Sequence, residues 1–328
     1  MIRPRVLLTN PIHAQAQARL AKMADICLAP DTHDSTLKQL AQDCDAMVVR
    51  CHLPADIFEA APRMRYVVRH GVGLDMVPVS EATARGIVVA NLPGSNTTAV
   101  VEYVLAAMMA LRRSVVQMDH VLRTQGWEHA KPLSNTCIEW HGTTLGIIGY
   151  GAIGQRLAKV ASAMGMNVCA HTRRPETVTE PVQASDLAGL LATSDLIVLA
   201  CPHNEQTHHL RNAERLALLK PSSLLINVAR GPVVDTDALV QALKLGQLAG
   251  AALDVHEHVP LSGQEAIFEC PNVLLTPHLA GNTETSLSKM SQWAVDTLEA
   301  LLAGQRPDNV VNPAAFEHRD SDRESYSG

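Results

Sequence analysis

Residues 144–165 limit what this chain can fold into more than any other stretch. Thr144-Leu145-Gly146-Ile147-Ile148 is a short apolar run of the kind that forms a buried strand. It passes straight into Gly149-Tyr150-Gly151-Ala152-Ile153-Gly154, after which Leu157, Val160, Ala161 and Met164 recur at helical spacing. Strand, glycine turn and helix give the G-x-G-x-x-G spacing a mechanical meaning. The first glycine makes the tight turn, the second lets backbone approach an anion, and the third lets the helix pack close to the strand. The first helical N–H groups, at Ala152 and Ile153, then face a pyrophosphate.

Strands and helices alternate on both sides of this unit. Before it, residues 6–8, 26–28, 46–49, 66–68 and 87–90 read as strands, with helices over 13–23, 35–42, 54–61 and 79–85. After it, strands are expected at 145–148, 167–170, 196–200, 224–228, 250–253 and 273–275, and helices between most of them. Such alternation predicts an α/β protein with parallel sheets covered by helices. At 328 residues the chain exceeds one comfortable core, so two domains are expected. One is a doubly wound dinucleotide-binding domain over 98–283; the other is a smaller α/β domain over 1–97. By packing logic the final helix, about 285–303, returns to the smaller domain, which then comprises 1–97 and 284–315. Residues 316–328 are polar and charged and read as a disordered tail. Residues 97–125 read as one long helix, apolar on several faces and so suited to an interior or a subunit interface. The stretch 126–142, with Trp127 and Trp140, reads as an arm, and a homodimer contact is expected there.

A net charge of −6 with no polybasic stretch gives no footprint for nucleic acid, and the longest apolar run, 103–111, is too short for a membrane span. Seven scattered cysteines without C-x-x-C pairs read as reduced thiols in the cytoplasm, and the N-terminus lacks a signal-peptide pattern. His256-Glu257-His258 invites a metal reading, but no further ligand is near in sequence, so no metal is expected.

In a fold that binds NAD, a carboxylate at the end of the second strand grips the ribose 2′-hydroxyl. Here that strand ends Cys169-Ala170-His171-Thr172-Arg173-Arg174, with no acidic residue between Gly149 and Glu176. Thr172 with Arg173 and Arg174 would attract a 2′-phosphate, so NADP(H) is preferred and NAD(H) remains possible through other contacts. Two basic residues follow strands at the edge where ligands bind: Arg230 in Asn227-Val228-Ala229-Arg230-Gly231, and His278 in Thr276-Pro277-His278. Hydride transfer to a 2-keto acid needs a cation for the carboxylate and carbonyl, an acid to deliver a proton, and backbone donors for orientation. Position alone also allows Arg230 a surface ion pair and His278 a structural role.

From Arg65 to Glu284 the chain resembles the D-isomer-specific 2-hydroxyacid dehydrogenases, which include phosphoglycerate, glycerate and glyoxylate/hydroxypyruvate enzymes. The resemblance is carried by Arg69-His70-Gly71-Val72-Gly73-Leu74-Asp75, Asn96-Thr97-Thr98-Ala99-Val100-Val101-Glu102 and the glycine turn. It continues through 225–235, 250–255 and 276–283. It implies that Arg230 binds the substrate carboxylate and keto oxygen, and that His278 exchanges the proton beside the cofactor. Asp254 would contact the nicotinamide side, Val72 and Gly73 would offer N–H groups to the substrate carboxylate, and Cys201, Thr207 and Val228 would line the cofactor cleft. A flavodoxin-like, discontinuous substrate domain and a homodimer are implied as well.

One departure stands out. The family carries a glutamate, partner to the catalytic histidine, five residues after the aspartate matched by Asp254; here that position is Val259. Glu257 could swing in as a substitute, the enzyme could work without the partner at a more acidic pH, or turnover could be lost. The expected activity is reversible reduction of a small 2-keto acid to a D-2-hydroxy acid. Two rivals stay open: an NAD-linked phosphoglycerate dehydrogenase, and a nucleotide-sensing protein without turnover.

Overall fold

The computed structural model describes residues 3–317. The chain divides into two compact units, Thr97–Gly281 and the residues on either side of it.

The flanking unit holds five parallel strands: β1 (Arg5–Leu8), β2 (Asp25–Leu28), β3 (Ala46–Val49), β4 (Tyr66–Arg69) and β5 (Val88–Ala90). Their order is β2-β1-β3-β4-β5, the flavodoxin-like arrangement, with the switch between β1 and β3. The three middle strands are almost wholly apolar and buried because helices cover both faces. One cover is the helix Glu284–Leu302, which packs Met290, Ala294, Val295, Leu298 and Leu301 against Val6, Leu8, Val48 and Val68. It starts where Thr283 accepts from Ser286 N (3.0 Å) and Ser286 Oγ accepts from Thr283 N (2.8 Å), a reciprocal cap on two donors that the helix itself cannot satisfy. Phe316, at the start of the stretch read as a tail, packs on this core, with the Arg306 guanidinium 4.6 Å above its ring. The remainder of that stretch, 318–328, lies outside the described residues.

At the end of β4, His70 is 4% exposed, and its Nε2 shares a hydrogen bond with Ser291 Oγ on the Glu284–Leu302 helix (2.8 Å). Desolvation, with Arg50 adding repulsion, pushes its pKa down from 6.5 to about 4. The unfolded chain therefore takes up a proton that the native unit refuses, so stability present above pH 6.5 is lost as pH falls towards 4. The loss is expected to be on the order of 3 kcal/mol. An acid titration followed by circular dichroism should show the His70→Gln variant losing that much less than the wild type over the same window.

The central unit holds seven parallel strands: β6 (Thr144–Ile148), β7 (Asn167–His171), β8 (Gln183–Ala184), β9 (Leu196–Leu199), β10 (Leu224–Asn227), β11 (Gly250–Leu253) and β12 (Val273–Leu275). Their order, β12-β11-β10-β9-β6-β7-β8, is the doubly wound one, with its switch between β6 and β9. Sequence periodicity gives six of them; β8 has two exposed residues and no apolar pattern to mark it. The expected helix over 97–125 is broken. Thr97–Arg112 buries Val101, Val104, Met108 and Leu111, then Ser114 turns left-handed (φ 48°), and Val115–Gln125 buries nothing. Residues 54–61, expected as a helix, form turns. Among the described residues no helix is long and apolar enough to cross a membrane.

Candidate active site

The three glycines after β6 do three different things. Gly149 has φ 100°, and a Cβ on it would lie 2.6 Å from the carbonyl of Ala200 and from Cys201 N. A Cβ on Gly154 would lie 2.3 Å from Gly149 O, so this glycine lets the helix Ala152–Ala163 sit tight against the turn. A Cβ on Gly151 would meet nothing within 4 Å. Steric crowding thus accounts for the first and third glycines, while the second borders open space at a helix N-terminus. That terminus has no side-chain cap and no acidic residue in its first turn, so its positive dipole end and the Ala152 and Ile153 N–H groups are left for an anion. The cradle fits a pyrophosphate.

At the end of β7, Thr172 Oγ1 accepts from Arg174 N (3.3 Å), and His171 Nδ1 lies 3.1 Å from Ser185 O. Arg173 and Arg174 are exposed, and neither side chain pairs with a carboxylate among the described residues. Across the switch point, Cys201 is half-buried, and desolvation pushes its thiol pKa up. Thr207, expected in the cofactor cleft, closes its own loop: its hydroxyl accepts from Asn204 N and donates to Pro202 O, both at 2.8 Å. The same loop carries a histidine series that local spacing does not reveal. His203 Nε2 lies 3.2 Å from His208 Nδ1, the His208 and His209 rings stack at 4.1 Å, and His209 Nε2 meets Glu257 Oε1 at 2.6 Å.

Arg230 stands just beyond β10, where Asn227 braces the turn. Asn227, fully buried, accepts from Ala229 N and donates to Arg230 O, both at 3.0 Å. Val228 follows the strand directly and donates its N–H to Leu199 O (3.2 Å). The guanidinium donates to Ala229 O (2.7 Å). Gly231 is required here, because a Cβ would fall 1.9 Å from His256 O.

His278 follows β12 in a left-handed conformation (φ 56°), unusual for a residue with a side chain and so held by its surroundings. The holder is Asp254. Its carbonyl accepts from His278 N (2.7 Å), while its carboxylate accepts from Leu279 N and Ala280 N (both 2.8 Å) and from the Thr276 hydroxyl (2.7 Å). Thr276 in turn shares a hydrogen bond with Tyr103 (2.7 Å). Asp254 is 1% exposed, and its carboxylate is turned onto the loop that presents His278. Glu257 does not stand in for the family's glutamate. Its two oxygens take His209 Nε2 and Thr236 N (3.1 Å). Val259, at the glutamate's position, is 71% exposed.

In the flanking unit, the carbonyls of Gly71, Val72 and Gly73 in the turn after β4 each accept a hydrogen bond. Leu92 N donates to Gly71 O (2.9 Å), Asn91 Nδ2 to Val72 O (2.7 Å) and Arg69 Nε to Gly73 O (3.1 Å). A trans peptide points N–H opposite to the preceding C=O, so the Val72 and Gly73 N–H groups face away from these braces.

Comparison with known proteins fits this geometry. The family model for the D-isomer specific 2-hydroxyacid dehydrogenase NAD binding domain matches residues 105–280. A glyoxylate reductase of Thermofilum pendens is 36% identical over 97% of each chain. Among solved structures, an NADPH-dependent glyoxylate/hydroxypyruvate reductase of Sinorhizobium meliloti, in complex with NADP and malonate, superposes with a TM-score of 0.86. It is 33% identical, over 96% of this chain and 98% of that one. The TT0316 protein of Thermus thermophilus gives 0.87 at 34% identity, over 94% and 99% of the two chains.

Proposed function

Because the chain belongs to the D-isomer specific 2-hydroxyacid dehydrogenase family, we propose that it reduces small 2-keto acids such as glyoxylate and hydroxypyruvate with NADPH. It is an NAD(P)-dependent oxidoreductase that moves hydride between the nicotinamide and a 2-keto or 2-hydroxy acid. When bound, the reduced cofactor supplies a hydride to C2 and leaves oxidised. Arg230 offers a planar fork that holds the substrate carboxylate and polarises the keto oxygen, where negative charge grows as hydride arrives. His278 gives that oxygen its proton and takes it back in the reverse direction. Val72 and Gly73 orient the carboxylate through their N–H groups. With Val259 where the family has its glutamate, the imidazolium loses the support of that carboxylate, so turnover is displaced towards lower pH.

The observation that carries the reading is that Arg230 and His278 each follow a strand of the same parallel sheet, on segments held by a buried polar side chain, Asn227 and Asp254. A nucleotide-sensing protein without turnover would have no need to hold a histidine left-handed. The test is NADPH consumption with glyoxylate, hydroxypyruvate and pyruvate; binding of NADPH without oxidation across a panel of 2-keto acids would overturn the reading.

Preference for NADP(H) rests on Arg173 and Arg174, exposed beside Thr172 with no acidic competitor. Arg173→Ala is expected to raise KM for NADPH about tenfold and leave KM for NADH within about twofold, as fits loss of a charge-assisted phosphate contact. Equal effects on the two cofactors would remove the assignment. We read the arm as the contact for a second copy of the chain, since Trp127 and Ile138 are more than half exposed there and the helix before it leaves Val115, Val116 and Leu122 exposed as well. The seven cysteines are free thiols, which suits a reducing compartment such as the cytoplasm.

A further inference from the structure

Just beyond Asp254 stand two polar side chains, His256 and Glu257, that the chemistry above does not use, and their hydrogen bonds run to different loops. His256 Nε2 meets Thr276 O (2.9 Å), at the start of the loop that presents His278. Glu257 takes His209 Nε2 (2.6 Å) and Thr236 N (3.1 Å). A carbonyl and a carboxylate only accept, so both rings carry a proton on Nε2. His209 belongs to the loop after β9, which begins against the glycine turn: Ala200 and Cys201 N are the atoms that a Cβ on Gly149 would strike. Thr236 opens the helix Thr236–Lys244 that follows the Arg230 turn. Backbone packs the same segments together, because His209 N donates to Pro232 O (2.8 Å), and His256 O and Glu257 N leave Gly231 no room for a Cβ. His209 is held left-handed (φ 45°), which costs energy in a residue with a side chain, and its ring stacks on His208. The Glu257 side chain is only 18% exposed. Burial works against its charge, and the bonds from His209 and Thr236 outweigh that and hold the carboxyl below its ordinary pKa.

We propose that Glu257 is a positioning residue: with His256 beside it, it ties the loops after β9, β10 and β12 together, so that cofactor, Arg230 and His278 keep one relative placement during hydride transfer. It acts through those loops and not by contact with His278. The proposal rests on the roles given above to Arg230 and His278. A tie that served stability alone would change the melting temperature and leave the rate of the chemical step where it was.

The test is steady-state kinetics with NADPH and glyoxylate on the full-length wild type, Glu257→Ala, Glu257→Gln, His209→Asn and the double variant His209→Asn/Glu257→Ala. NADPH titrations and melting temperatures accompany it. Glu257→Ala is expected to lower kcat about thirtyfold, with Kd for NADPH and KM for the keto acid within about threefold of wild type, as fits misplaced reacting groups and not a lost contact. Glutamine can accept from Thr236 N and donate to His209 Nε2 once that ring moves its proton to Nδ1, so Glu257→Gln should bring kcat back to within about threefold. Asparagine tolerates the left-handed backbone and is too short to reach Glu257, so His209→Asn should lower kcat about tenfold. The double variant should fall no further than Glu257→Ala, because the two residues make one tie. His258→Ala, exposed in the same run, should leave kcat unchanged. If Glu257→Ala does not fold, His209→Asn carries the same test. Wild-type kcat in Glu257→Ala, a glutamine variant as slow as the alanine one, or losses that multiply in the double variant would overturn this proposal alone. A wild type that binds NADPH and reduces no 2-keto acid would overturn the reading on which it rests.

Discussion

Arg230→Met should lower kcat/KM for the keto acid about a thousandfold while leaving NADPH affinity within about threefold of wild type. The guanidinium is the group that would meet both a carboxylate and a growing alkoxide, and losing one preorganised donor at such a place typically costs about 10²–10³ in rate. Losing the ground-state carboxylate contact adds to that. Its backbone should stay put, because Asn227 and Gly231 shape the turn without help from the side chain. Arg230→Lys keeps the charge but not the fork, and is expected to recover no more than about tenfold. Steady-state kinetics together with a binding titration separate the two effects. Wild-type kcat/KM in Arg230→Met would remove this residue from the chemistry.

Asp254→Asn should be nearly as damaging, for a different reason. Three donors converge on the carboxylate, and an amide can accept through one atom only. Its NH₂ would face the N–H of Leu279 or Ala280, leaving a buried donor unsatisfied and the left-handed His278 without its brace. We expect kcat to fall by about a hundredfold and unfolding to become easier by about 3 kcal/mol, with cofactor affinity nearly unchanged. If Asp254 instead served the nicotinamide directly, KM for NADPH would rise with little change in stability. Urea unfolding beside kinetics distinguishes these outcomes.

Much of this is legible in residue order alone. Runs such as Leu224-Leu225-Ile226 and Ala46-Met47-Val48-Val49 announce strands buried on both faces, and the glycine turn announces which sheet takes the nucleotide. The positions of Arg230 and His278 follow from the rule that ligands sit at carboxyl ends of strands. What residue order does not reveal is what long-range packing decides. Nothing local in residues 97–125 says that the helix turns at Ser114; its apolar pattern simply weakens from Val115 onward. The family resemblance assigns Asp254 to the cofactor side, but residue order does not show that a loop more than twenty residues on donates to its oxygens. Glu257 reads as available for His278, and only the fold brings it to His209. Arg211, next to a helix-capping asparagine, has the local sequence of a surface arginine and is fully buried.

The central claim is that this site delivers a hydride to C2 of a 2-keto acid, on one face only, while His278 supplies the proton. The most direct measurement uses NADPH with both C4 hydrogens replaced by deuterium, with hydroxypyruvate in ordinary water, followed by chiral analysis and mass spectrometry of the product. The account predicts D-glycerate with a single deuterium at C2, and none from His278→Ala. L-glycerate, an unlabelled product, or undiminished turnover in His278→Ala would contradict it.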